Sequence, residues 1–290
     1  MKKRRIVAFL SALIMLAAAL AGCRAGASDK RADLLSGGSA VAPLSPDAGF
    51  SAAYTDLALK LLSACLEDGK NTLVSPLSVM EALAMMANGA CGETLGEMER
   101  VIGGGIPVSE LARYLAGFAA GGEELSLANS LWLREGFDID EEFLRKCSAF
   151  QGAGAYRAPF DRHTVDDIND WVSENTHGMI KSAVDYDTVR ASELLLCNAL
   201  YFDGKWERRY SDGDISDGYF TRESGARDEV RFMYSEEHSL LTVAGGRGFI
   251  KNYDGGNYAF VAVLPDAGTD ISEFVSSLDA AALAEALKKT

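Results

Sequence analysis

Histidine is nearly absent from the chain: among 290 residues there are only His163, His177 and His238. All three stand among polar neighbours with no evident catalytic partner, as solvated surface residues do. The serine-hydrolase signatures Ser-x-x-Lys and Gly-x-Ser-x-Gly are both missing. The chain is therefore read as a non-enzyme. No Cys-x-x-Cys occurs among the five cysteines, and no spacing suits zinc. No metal and no other cofactor is expected. Positive charge is short as well, with 28 Lys plus Arg against 42 Asp plus Glu, a net charge of -14. That balance argues against nucleic acid as a partner and against electrostatic adhesion to anionic lipid. Internal repeats are absent too.

The N-terminus is the one basic, strongly apolar stretch. Lys2, Lys3, Arg4 and Arg5 precede the run Ile6 to Leu20, and Leu20-Ala21-Gly22-Cys23 follows. A basic region and a short apolar core form a secretory signal. Small residues directly before a cysteine look like a bacterial lipobox, with Cys23 as the lipid attachment point after cleavage of residues 1–22. The alternative is an ordinary cleaved signal. A permanent membrane helix is disfavoured by the short run and by Ser11 within it. Removing the four basic residues of the signal takes the net charge from -14 to -18. Several acyl chains on Cys23 would give stable membrane association where one would not. The expected location is the surface or outer envelope of a bacterium.

Residues 23–49 are rich in Ala, Gly, Ser and Asp, carry Pro43 and Pro46, and show no period. They are expected to form a flexible tether. Residues 50–290 hold ample apolar material for a large core, since 48% of the whole chain is hydrophobic. Outside the cytoplasm Cys65, Cys91, Cys147 and Cys197 could pair in any of three ways. The plainer reading makes Cys197 and others small buried hydrophobes.

Phe50 to Leu66 is expected to be helical and Asn71 to Val74 a short strand. Ser75 then suits an N-cap and Pro76 the first helical position. That helix would bury Val79, Leu83 and Met86 and stop at Asn88-Gly89. A helix follows over Glu110 to Phe118, a strand over Leu125 to Leu133 with Trp132 in the core, and a helix over Asp140 to Phe150. Thr164 is read as the cap of another helix, with Ile168, Trp171, Val172 and Met179 as its apolar stripe. Short strands marked by Gly turns come after Tyr210. Tyr258 to Leu264 reads as a buried strand and Ile271 to Leu287 as one helix.

The densest signal lies in Glu193 to Tyr210. Leu194 to Phe202 is apolar except for Asn198, which reads as a strand buried on both faces. A buried amide needs polar partners, so Asn198 must have some beside it. The motif N-A-L-Y-F-x-G-x-W, through Asn198, Ala199, Phe202, Gly204 and Trp206, resembles the central strand of the serpins. N-x-x-x-S-P-x-S through Ser75, Pro76 and Ser78, then G-A-x-G-x-T through Gly89, Ala90, Gly92 and Thr94, is a second match. Ile168, Asn169, Trp171 and Val172 fit a third, the helix across the main sheet. The resemblance runs from about Phe50 to Thr290. Ile215 and Arg231-Phe232 depart from the family pattern.

The resemblance implies an α+β serpin fold, many helices around a large mixed central β-sheet with smaller sheets. It implies a shutter of Ser75, Pro76, Ser78 and Asn198, where the sheet parts, and an upper-sheet position for Trp206. It further implies an inhibitor of serine proteases, with cysteine proteases as an alternative target, that acts by cleavage of a reactive loop and its insertion into the sheet. No segment resembles that loop, so no reactive bond is assigned. The C-terminal third of the fold is expected to be missing, which would leave these residues an inactive fragment. The helix at Glu110 to Phe118 carries only Arg113, so no heparin-type polysaccharide is expected as a partner. The partners expected are a target serine protease for the full-length parent and a membrane through the lipid. The competing reading is a non-inhibitory, surface-anchored binding lipoprotein on the same scaffold.

Overall fold

The computed structural model describes residues 33–35, 41–119, 124–222 and 224–288. The signal and Cys23 lie outside the described residues. Helix α1 spans Ala48–Cys65, with Asp47 as its cap accepting from the Phe50 amide at 2.8 Å. Helix α2, Pro76–Ala87, starts as the sequence indicates: Ser75 caps it and Pro76 occupies the first turn. Helices α3 (Gly92–Gly103) and α4 (Val108–Ala119) complete the first helical group. Strand β1 (Leu125–Arg134), α5 (Glu141–Gln151), β2 (Gly154–Ala158), α6 (Arg162–Asn175), α7 (Tyr186–Ala191) and β3 (Leu194–Phe202) follow. The remainder is β4 (Ile215–Thr221), β5 (Arg227–Met233), β6 (Ser239–Val243), β7 (Gly246–Asn252), β8 (Ala259–Pro265), α8 (Ile271–Ser277) and α9 (Ala280–Lys288).

Three sheets form among the described residues: a mixed sheet in the order β2-β1-β3, a β4-β5 hairpin, and an antiparallel β6-β7-β8 sheet. In the mixed sheet β1 runs parallel to β2 and antiparallel to β3, with Asn129 opposite Asn198 and Leu125 opposite Phe202. Side-chain alternation divides the faces. Ala128, Trp132, Leu195, Cys197 and Ala199 pack with Ile168, Trp171 and Val172 of α6. Leu131, Leu133, Leu194 and Leu196 pack with Met85 of α2 and Leu144 and Cys147 of α5. Each large side chain fully buried here contributes about 1.5–3 kcal/mol. The helix across each face is why β3 is apolar at every position but Asn198.

Several expectations need correction. In β3 only Ala199 is fully buried, and Phe202 is exposed. The strand has β1 along one edge and, among the described residues, no strand along the other. Residues 71–74 form no strand, and Leu73 is 98% exposed, because their backbone finds no ladder partner. Helix α2 buries Leu77, Met80, Glu81, Ala84, Met85 and Ala87 and leaves Met86 exposed. It touches β3, α1, α3, α4 and α5, so its nearly all-apolar sequence names no single buried stripe.

Helix α6 starts earlier than expected, with Asp161 as cap; Thr164 accepts instead from the Phe160 amide at 3.0 Å. Met179 lies beyond α6 and is exposed. Strand β8 is only partly covered, and Phe260 and Leu264 are exposed. The last expected helix is two, because Leu278 is extended and Asp279 recaps the chain, accepting from the Ala282 amide at 2.7 Å.

The described part of the tether is not free. Asp33 accepts from the Ala155 amide at 2.9 Å, and Leu34 donates to Ala155 at 2.8 Å. The Val41 amide donates to Ala149 and the Leu44 amide to Arg113, at 3.0 and 2.9 Å. A Cβ on Gly117 would stand 2.7 Å from the Leu44 carbonyl oxygen, so the close approach of segment 41–47 to α4 requires glycine there. Tyr114 donates to Asp47 at 2.8 Å, and that bond with burial and the Asp47 charge pushes its phenol up to about 12. No described helix is long and apolar enough to cross a membrane.

Candidate functional site

Asn198 points toward α2 and α5, on the face it shares with Leu194 and Leu196. Its Nδ2 donates to Asn129 Oδ1 at 2.8 Å. Asn129 Nδ2 donates in turn to the Gln151 carbonyl at 2.9 Å. Asn88, the C-cap of α2, donates to Gln151 Oε1 at 2.9 Å and approaches Cys147 Sγ at 3.6 Å. Cys147 donates to the Met85 carbonyl at 3.5 Å. One hydrogen-bonded series thus runs from β3 through β1 and α5 to the end of α2.

The series is incompletely satisfied. Asn198 Oδ1, Asn88 Oδ1, Gln151 Nε2 and Glu81 Oε2 are buried without a partner. Glu81 is 2% exposed on the α2 face that meets the sheet. Burial pushes its carboxyl up to about 8, and the Asn129 amide pulls it back only in part. A carboxyl in such a place is neutral at neutral pH, because ionisation without a cation is costly. Burial also pushes the Cys147 and Cys197 thiols up to about 11, so neither is a ready nucleophile. The four described cysteines are free thiols; Cys65 and Cys91 are exposed.

Ser75, Pro76 and Ser78 stand at the start of α2, and Ser75 donates to the Ser78 hydroxyl at 3.0 Å. They do not supply the partner expected for Asn198: the two hydroxyls satisfy one another, and Asn129 takes the amide. The sequence names Asn88 only as a helix stop and does not single out Asn129, Gln151 or Glu81. The signal was present for two of them. Asn129 is the one polar residue on the β1 face of Leu125, Leu127, Leu131 and Leu133, and Glu81 is the only charge in α2.

At the other end of β3 the chain leaves through Gly204. A Cβ there would meet the Phe202 and Tyr253 rings at 2.6 Å, so only glycine passes. Trp206 forms an isolated bridge with Tyr253 and stacks on its ring at 4.5 Å and 10°. Phe260 meets Trp206 edge-on at 5.8 Å. The exit of β3 is thereby joined to the β6-β7-β8 sheet. His163, His177 and His238 are all exposed, and His177 lies 4.3 Å from the Tyr201 ring. Among the described residues no group of three or more His, Cys, Asp or Glu converges as metal ligands do.

A family model described as Serpin (serine protease inhibitor) matches residues 52–290. Neuroserpin of Mus musculus is 32% identical over 181 residues, which are 58% of this chain and 44% of neuroserpin. Antitrypsin of Bombyx mori is 29% identical over 224 residues, 72% of this chain and 56% of the relative. The chain thus spans about half the length of the curated relatives it matches. Among solved structures, the thermophilic serpin tengpin in its native state has a TM-score of 0.80 and 34% identity, covering 89% of this chain and 69% of tengpin. Tengpin in its latent state gives 0.78 and 34%, covering 85% of this chain and 69% of tengpin. Both tengpin structures are thus similar to this chain over most of its length.

Proposed function

The chain belongs to the serpin family, and from that premise we propose that it forms the sheet-bearing part of an inhibitor of serine proteases. Its fold is the α+β serpin fold, shared with tengpin. Serpin inhibition is a case of strand addition: a cleaved loop enters the main sheet, and released strain carries the acylated protease with it. The reading therefore applies to the protein in which these residues stand together with such a loop. No residue of this chain is assigned as a reactive bond.

The observation that carries the reading is the polar seam at Asn198. A strand sandwiched between α2 and α6 would be most stable with apolar side chains throughout. This one keeps an amide whose oxygen is unpaired and whose nitrogen donates to a second amide, Asn129 on β1. A partly satisfied seam costs stability and makes a packed sheet easier to part. In this role Asn198 and Asn129 form the seam, Ser75, Pro76 and Ser78 fix the start of the underlying helix, and Trp206 holds the exit. Cys23 is proposed to carry a lipid that keeps the protein on a bacterial surface.

The test is incubation of the protein, joined to its loop, with a panel of serine proteases. A covalent complex that survives SDS is expected. Substrate-like cleavage by every protease, with no complex, would favour the non-inhibitory binding lipoprotein instead.

A further inference from the structure

Lys251 of β7 is 4% exposed. Its ammonium meets Glu237 Oε1 at 2.5 Å and lies 4.8 Å from the Tyr210 ring centroid and 5.6 Å from that of Trp206. Ser235 closes the arrangement: its hydroxyl donates to Glu237 at 2.6 Å and lies 3.1 Å from the Tyr210 hydroxyl. Segment 206–210 after β3, segment 235–237 before β6, and β7 therefore meet around one charge. Arg208 adds positive charge near Glu237.

An ammonium taken out of water is expensive unless it is paired and hydrogen-bonded. An apolar side chain at 251 would fill the same place without that cost. The charge adds a directional hold, through Glu237 and through the faces of two rings. Breaking the pair leaves a buried charge uncompensated, so the arrangement is stable closed and poor half-open. Backbone bonds from Asp254 to Lys205 at 2.7 Å and from Glu207 to Asn252 at 3.1 Å fix the chain path here. They leave the Trp206 ring to its side-chain neighbours.

We infer that Lys251, held by Glu237 and roofed by Tyr210 and Trp206, is a positioning residue that keeps Trp206 on Tyr253 and so latches the exit of β3 shut. The inference rests on the reading of β3 as a strand beside which the sheet opens. Glu237 is held below the usual carboxylate range, first by its hydrogen bond from Lys251. Burial alone would lower Lys251, but Glu237 and Tyr210 outweigh it and the net shift is upward. Both groups are therefore charged at neutral pH.

The experiment uses the full chain labelled with 5-fluorotryptophan, which gives separate fluorine resonances for Trp132, Trp171 and Trp206; Trp206→Phe assigns the last. Glu237→Gln and Lys251→Met are expected to move or broaden the Trp206 resonance and leave Trp132 and Trp171 in place. Lys251→Arg is expected to restore it in large part. Lys60→Met, which removes an exposed pair with Asp56, is the control. Hydrogen exchange at the β3 exit should rise at least about tenfold in Glu237→Gln, with α6 unchanged. A Trp206 resonance unmoved in folded Glu237→Gln, or wild-type exchange at the β3 exit, would overturn the latch. If Lys251→Met does not fold, the near-isosteric Glu237→Gln decides alone. None of these readouts needs a protease, so the latch and the inhibitor reading fail separately.

Discussion

Asn198 and Asn129 are register partners on antiparallel strands, and their side chains share a hydrogen bond of 2.8 Å on the face toward α2. The pair is asymmetric. Asn129 is engaged at both ends of its amide, accepting from Asn198 and donating to the Gln151 carbonyl. Asn198 is engaged at one, with its oxygen buried and unpaired.

Removal of the two amides should therefore differ in cost. Asn198→Ala strands one buried acceptor, at about 1–3 kcal/mol. Asn129→Ala strands both the Asn198 donor and the Gln151 carbonyl, and is expected to cost more. Urea unfolding of the two variants checks this, and the reverse order would mean that the seam is not built as described.

Glu81 should make stability depend on pH. Its carboxyl is raised from 4.5 to about 8 in the folded chain by burial. Between those values the folded state holds a proton that the unfolded state has lost. The contribution is complete below about pH 4.5, falls by up to about 1.4 kcal/mol per pH unit as pH rises, and is gone by about pH 8. Glu81→Gln is expected to remove this slope and to gain most relative to wild type near about pH 8. Parallel urea melts at several pH values would show it; equal slopes in both proteins would place the carboxylate in water or beside a cation.

The cysteines should separate by environment. Cys65 and Cys91 are exposed, whereas burial pushes Cys147 and Cys197 up to about 11. In a Cys23→Ser background, a thiol reagent near neutral pH should label the first two quickly and the second two only on unfolding. Fast labelling of Cys147 in the native protein would contradict its packing against Met85 and Asn88.

Most of the framework was legible because local chemistry and tertiary packing agree there. Ser75-Pro76 marks a helix start by capping alone, and Leu194 to Phe202 marks a strand by an apolar run that only Asn198 breaks. What failed to show depends on what lies across from it. Strand β2 has only five residues and owes its identity to pairing with β1. The stripe on α2 could not be chosen because that helix meets neighbours on several sides. The partner of Asn198 is set by strand register, which places Asn129 opposite it and leaves Ser75 and Ser78 to bond with each other. Lys251 looks like an ordinary strand lysine until Glu237, Tyr210 and Trp206 are brought around it.

Docking of residues 33–34 and 41–47 shortens the proposed anchor. If Cys23 bears lipid, at most the ten residues from 23 to Asp33, where hydrogen bonds to Ala155 begin, separate the anchor from the domain. Ten residues fully extended reach at most about 35 Å. The β2 side of the domain is therefore expected to ride close to the bilayer instead of sweeping a wide volume on a long leash. Cys23→Ser should move the protein from the membrane to the soluble fraction, and continued membrane fractionation would end the lipid assignment. In the lipidated protein, Asp33→Ala removes the side-chain acceptor for the Ala155 amide and should move the first hold on the domain from Asp33 toward Val41. In a Cys65→Ser background, a fluorophore on exposed Cys91 should then show lower average energy transfer to a dye in the lipid headgroups, with no change in thermal melting beyond about 1 kcal/mol. Equal transfer in the two proteins would show that Asp33 does not set the reach.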